Sequence, residues 1–142
     1  MIVVNQNEII GPWVAERVGG KWTPGRGHTL GWMDGGKLLA GVLVEDWNGA
    51  CCTMHVAGEG TWAYPKFIDT VFDYVFGQLK CRCTFAVVSS VNEKCLRLCL
   101  RLGYEEVVRL KEAHPDGDLV LLRLWREAWE NRNVEAKSAR CA

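Results

Sequence analysis

The sequence has no charge of either sign to spare. Seventeen Lys and Arg are balanced by seventeen Asp and Glu, and the formal net charge is zero. A general nucleic-acid binder needs a basic surface to displace counterions, so the balance argues against that class, local patches aside. No apolar run approaches the roughly 20 residues of a membrane span. The stretch Met1 to Asn7 has neither a basic n-region nor a small-residue cleavage site, so cytosol is the expected compartment. There is no internal repeat and no low-complexity segment. A P-loop with its Lys-Ser/Thr is also missing, which argues against a nucleoside-triphosphate site.

Cysteine, by contrast, is abundant. There are seven in 142 residues, an odd number that cannot fully pair within one chain. Cys51-Cys52, Cys81-x-Cys83 and Cys95/Cys99 lie inside apolar runs without the loop-separated pairs of a zinc site. Reduced, buried thiols serving as small hydrophobes, and no metal, are the expectation.

The length suits one domain, residues 1–142. Its pattern alternates strands and helices. Met1–Val4 reads as a short strand. Ile9–Val18 reads as a helix with Pro12 in its first turn. Gly19–His28 reads as a loop. Leu30–Met33, Lys37–Trp47 and Cys51–Ala57 read as an antiparallel meander, turning at Asp34-Gly35-Gly36 and Asn48-Gly49. A long helix follows, with Phe67, Ile68, Val71, Phe72, Val75, Phe76 and Leu79 at three- and four-residue steps. Cys83–Ser89 has the continuous apolar run expected of a strand buried on both faces. Glu93–Leu102 is a short helix stopped by Gly103. Tyr104–Leu110 and Leu119–Trp125 form a hairpin about Pro115-Asp116-Gly117. Arg126–Lys137 reads as a terminal helix, and Ser138–Ala142 as a fraying end.

Three segments can carry chemistry. In His55-Val56-Ala57-Gly58-Glu59-Gly60-Thr61-Trp62 a strand passes through a glycine turn into a helix. A helix N-terminus offers free N–H groups, and glycines let an anion approach them; a plain connection is the alternative. In Ser89-Ser90-Val91-Asn92 a strand ends at Asn92, either an N-cap or an amide presented to a ligand. In Leu102-Gly103-Tyr104 a helix stops and an aromatic packs back.

In this order, from about Leu30 to Trp125, these segments resemble the GNAT superfamily of acetyl-CoA-dependent N-acetyltransferases. The resemblance is densest from Ser90-x-Asn92 through Leu102-Gly103-Tyr104. Within the superfamily the chain is similar to a short, phage-type branch related to ribosomal-protein acetyltransferases. The resemblance implies an α+β fold. Its mixed, mostly antiparallel sheet has about six to seven strands, splayed between the fourth and fifth and flanked by helices. It also implies an acceptor-side segment over about residues 1–30, an acetyl-CoA core over about 30–125 and a tail over 126–142. Met54, His55 and Val56 would face the pantetheine arm. Gly58, Gly60, Thr61, Trp62 and Ala63 would cradle the pyrophosphate. The family's loop motif fits as His55-x-x-Gly58-x-Gly60, with His for Gln or Arg, or as the degenerate Gly58-x-x-Thr61-x-Ala63. Asn92 matches the cofactor-contacting Asn. Lys94, Arg97 and Arg101 could neutralise phosphates; residues 80–111 carry seven Lys/Arg against three Glu.

The implied reaction is direct attack of a primary amine on the thioester, the amine being a protein N-terminus, a lysine or a small molecule. His55 and Glu59 are the candidate bases, with Ser89 and Ser90 as residues that could orient a water. The tyrosine that many members place seven residues after the Asn is Cys99 here, so Cys99 and Tyr104 are the candidate acids. Family members are frequently dimers. The alternatives are a non-catalytic CoA- or partner-binding module and a tRNA-directed acetyltransferase toxin. Trp13, Trp22 and Gly25-Arg26-Gly27-His28 fall in the acceptor-side segment.

Overall fold

The computed structural model describes residues 1–132. Seven strands form one sheet: β1 (Ile2–Val4), β2 (His28–Asp34), β3 (Lys37–Glu45), β4 (Cys51–Gly58), β5 (Cys83–Ser89), β6 (Glu105–His114) and β7 (Gly117–Trp125). Three helices accompany them: α1 (Asn7–Val18), α2 (Pro65–Phe72) and α3 (Glu93–Leu102). Residues 126–132 are also helical; the rest of the terminal segment, Cys141 included, lies outside the described residues. No described helix is long and apolar enough to cross a membrane.

The strand order is β1-β2-β3-β4-β5-β7-β6. Every neighbour pair is antiparallel except β4 and β5. The glycine turn between β2 and β3 forms as its sequence requires, since Gly35 and Gly36 both take positive φ (57° and 78°). At the next turn Asn48 Oδ1 accepts from the N–H groups of Ala50 and Cys51, both at 2.9 Å.

Side-chain alternation divides the sheet into two faces. The α2–α3 face carries Val42, Val44, Cys52, Met54, Ala86, Val88, Val120, Leu122 and Leu124, packed with Phe67, Val71, Phe72, Val75, Cys99 and Leu102. The other face carries Leu43 and Leu38, covered by Ile10 and Val14 of α1. That contact needs glycine. A Cβ on Gly41 would meet Val14 Cγ2 at 2.6 Å and Ile10 Cγ2 at 3.0 Å. Gly41→Ala should therefore cost about 1–3 kcal/mol by overpacking. Urea denaturation checks this: the midpoint should fall with the m-value unchanged.

Three expectations need correction. α1 begins at Asn7, so Pro12 lies inside the helix; packing of Ile10 and Val14 outweighs the lost backbone bond there. The long helix is not uniform. α2 passes into a π-helical segment, Asp73–Gln78, which keeps Val75 and Phe76 buried. β5 is not buried on both faces: Ala86 and Val88 are buried, whereas Val87 is 44% exposed.

Candidate functional site

The parallel ladder between β4 and β5 is short. Cys51 pairs with Cys83, Cys52 with Thr84 and Thr53 with Phe85, and there it stops. Beyond that point β4 remains paired to β3 as far as Gly58, and β5 to β7 as far as Ser89. Beyond Thr53 and Phe85 the two strands share no ladder, which leaves a gap between their facing edges.

The ladder also shows which backbone groups line the gap. Glu59 N–H donates to Leu39 C=O at 2.8 Å. The β3–β4 register runs unbroken from Gly58 to Thr53. Amide groups alternate along a strand, so those of Ala57, His55 and Thr53 face β3. Those of Met54, Val56 and Gly58 face β5. From Val56 onward they have no strand partner in the β4–β5 ladder. An unpaired sheet edge of this kind is ready to hydrogen-bond an extended ligand.

His55 behaves differently from its neighbours. Its amide is committed to β3, so its backbone cannot serve the gap. Its side chain lies on the α1 face beside the opening, with Nε2 3.2 Å from Glu45 Oε1. When Nε2–H donates to that carboxylate, Nδ1 is left as an acceptor. Glu45 was not singled out from sequence. The signal was there in principle: counting back across the Asn48-Gly49 turn pairs Leu43 with His55 and Glu45 with Thr53 on one face.

Glu59 is committed elsewhere. Its carboxylate accepts from Arg17 at 2.9 Å and stands 3.6 Å from Lys37. The Arg17 hydrogen bond holds it below the usual carboxylate range, which weakens it as a proton acceptor. It ties α1 to the loop after β4.

That loop, Gly58 to Tyr64, leads into α2. Gly60 has φ +64° and nothing lies within 4 Å of the position a Cβ would take. Pro65 occupies the first helical position, where a missing N–H costs nothing. The Trp62 indole lies against Gly58 and packs on the core. Thr61 and Ala63 are exposed.

Tyr104 and Met54 meet beneath the gap on the α2–α3 face, with Tyr104 Oη 3.7 Å from Met54 Sδ. Burial pushes the Tyr104 hydroxyl well above its ordinary pKa. The hydrogen bond with Cys95, then burial, pushes the Cys99 thiol up. Both groups hold their protons tightly, which makes them poor acids. Asn92 caps α3: its Oδ1 accepts from Cys95 N–H at 3.2 Å. Lys94, Arg97 and Arg101, with Leu100, line an open depression of about 490 Å³ on the outer side of α3.

The six described cysteines are free. No three His, Cys, Asp or Glu converge to hold a metal among the described residues. Trp13 and Trp22 are half-buried against α1's cluster rather than presented to a cleft. At the end of β5, Ser89 Oγ lies 3.4 Å from His114 Nδ1, and Ser90 Oγ accepts from Asp118 N–H at 2.9 Å. These contacts seat the β6–β7 turn on β5; His114 was not anticipated from sequence.

No protein-family model and no curated protein matches the chain. Solved structures do. Spermidine/spermine N-acetyltransferase SpeG from Vibrio cholerae, in complex with manganese ions, superposes with a TM-score of 0.73 at 13% identity, covering 93% of this chain and 95% of that one. Mutant forms of the same enzyme give 0.67 at 18% identity, covering 77% and 72%. The chain has the GNAT acetyltransferase fold. A dodecameric structure of the Vibrio cholerae spermidine N-acetyltransferase is also similar, with a TM-score of 0.66 at 18% identity, covering 77% and 70%. In this GNAT fold the sheet is splayed where the resemblance implied, between the fourth and fifth strands.

Proposed function

We propose that the protein is an N-acetyltransferase that moves the acetyl group of acetyl-CoA to a primary amine. The observation that carries the reading is the gap. It opens the Val56 backbone on one side and sets the His55–Glu45 pair beside it.

The residues suit the cosubstrate. The amides of Val56 and Gly58 face the gap with no partner across the β4–β5 ladder, where an extended pantetheine arm would lie. The Gly60 loop and the start of α2 present backbone donors to a pyrophosphate. Asn92 opens α3 near the same edge, and Lys94, Arg97 and Arg101 supply countercharge for the nucleotide phosphates. Acetyl-CoA supplies an activated thioester.

The chain's own groups do the rest. Val56 N–H donates to the thioester carbonyl oxygen as negative charge develops there. His55 Nδ1 takes the proton released as the amine nitrogen bonds to the acetyl carbon. Glu45 keeps the ring in the tautomer that can accept and stabilises the imidazolium formed. The carbon–sulfur bond breaks, and the CoA thiolate takes a proton from that imidazolium or from water. Neither Cys99 nor Tyr104 is needed. Among acceptors we retain a protein N-terminus, as the resemblance to ribosomal-protein acetyltransferases suggests, beside lysine and small amines.

The test is transfer of radiolabelled acetyl from acetyl-CoA to a panel of primary amines and peptides. Acetylated amine formed in proportion to enzyme is expected. Tight CoA binding with no transfer to any amine would instead indicate a binding module.

A further inference from the structure

We infer that the acceptor is a primary amine carried on an apolar body, and that the face of β5, β7 and β6 that no described helix covers holds that body. This rests on the acetyl-transfer reading above.

Thr53 and Phe85 are register partners, so His55 on β4 and Phe85 and Val87 on β5 share one face of the sheet. Across that face Val87 pairs with Leu121, and Leu121 in turn with Val108. Leu119 pairs with Leu110 in the next row. A bulge between Glu106 and Val108 keeps Val108 and Leu110 on this side; an unbroken register would turn them away.

The six residues form one apolar surface. α1 buries its own apolar residues on Leu38 and Leu43, over the other half of the sheet. Val87, Val108 and Leu110 are 44%, 41% and 48% exposed. Contiguous apolar faces of this kind mark binding surfaces. The surface runs directly from the gap. The opposite side is filled by α2 and α3, so the acceptor's way to the opening is along this face.

Charge selects the occupant. The carboxylates set in register here are both held. Glu45 is bound to His55. Glu105 accepts from Arg123 at 2.8 Å and from Trp125 at 3.2 Å. A polycation such as spermidine finds neither of these two carboxylates free, whereas an amine with an aliphatic or aromatic body buries it on the apolar residues.

The test compares kcat/KM of the full chain for butylamine, hexylamine, phenethylamine and spermidine. A rise of about twofold or more per added methylene is expected, with hexylamine and phenethylamine well above spermidine. Val87→Lys should abolish the length dependence, with an unchanged acetyl-CoA Kd showing an intact fold. Methyl resonances of Val87, Val108 and Leu110 should shift with hexylamine alone. Preference for spermidine, or turnover without methyl shifts, overturns this inference and leaves acetyl transfer standing. Methyl shifts without turnover of any amine overturn the acetyl-transfer reading, and the acceptor role with it. A dimer that buries this face in sedimentation and shows no length dependence also overturns the inference.

Discussion

His55→Gln should lower kcat by roughly 10²–10⁴-fold, the usual contribution of a positioned proton acceptor, and leave acetyl-CoA affinity unchanged. The split follows from the geometry. The His55 amide bonds to β3 and its side chain faces α1, so neither holds the cosubstrate; only proton removal from the amine is lost. Glu45→Gln should also lower kcat, but by less. The amide at 45 still contacts the ring but no longer carries the charge that stabilises the imidazolium formed in the reaction. Steady-state kinetics across pH, with calorimetry for acetyl-CoA, separates the two roles. If His55→Gln keeps full kcat, the proton leaves by another route and the assignment fails.

Gly60→Asp should weaken acetyl-CoA by about 10–100-fold. The added carboxylate opposes the pyrophosphate where the helix end and the loop amides favour negative charge. The necessary control is Gly60→Asn. Both substitutions meet the same strain at φ +64° and the same open space, and Asp and Asn tolerate that backbone better than other side chains. A large loss for Asp with a small one for Asn isolates the charge. Equal losses would mean that backbone strain, not phosphate repulsion, is responsible.

Much of this arrangement was legible in the residues. The paired glycines at 35 and 36 predicted a hairpin with two positive φ values, and the structure has both. Gly103 stops α3 in the left-handed conformation, at φ 105°. Asn92 is the N-cap that one reading of it required. The apolar run of β5 misled, because residues that touch a helix and residues left exposed on a sheet face are equally hydrophobic. Ala86 and Phe85 look alike in sequence, but Ala86 lies on the face packed by α2 and α3, whereas α1 buries its residues on the other half of the face that carries Phe85. The His55–Glu45 pair was hidden because it depends on register across a turn. Glu59 looked like a base by proximity in sequence, but Arg17, forty-two positions away, takes its carboxylate.

On the acetyl-transfer reading, CoA lies in the opening between β4 and β5. Titration of the ¹⁵N-labelled protein with acetyl-CoA, followed by backbone amide shifts, tests it most directly. Saturable, one-site shifts are expected at Val56, Gly58, Gly60 and the Asn92 turn, with the Ala57 and Thr53 amides less affected because they face β3. Shifts confined to Lys94, Arg97 and Arg101, or no shifts at all in the folded protein, would contradict it.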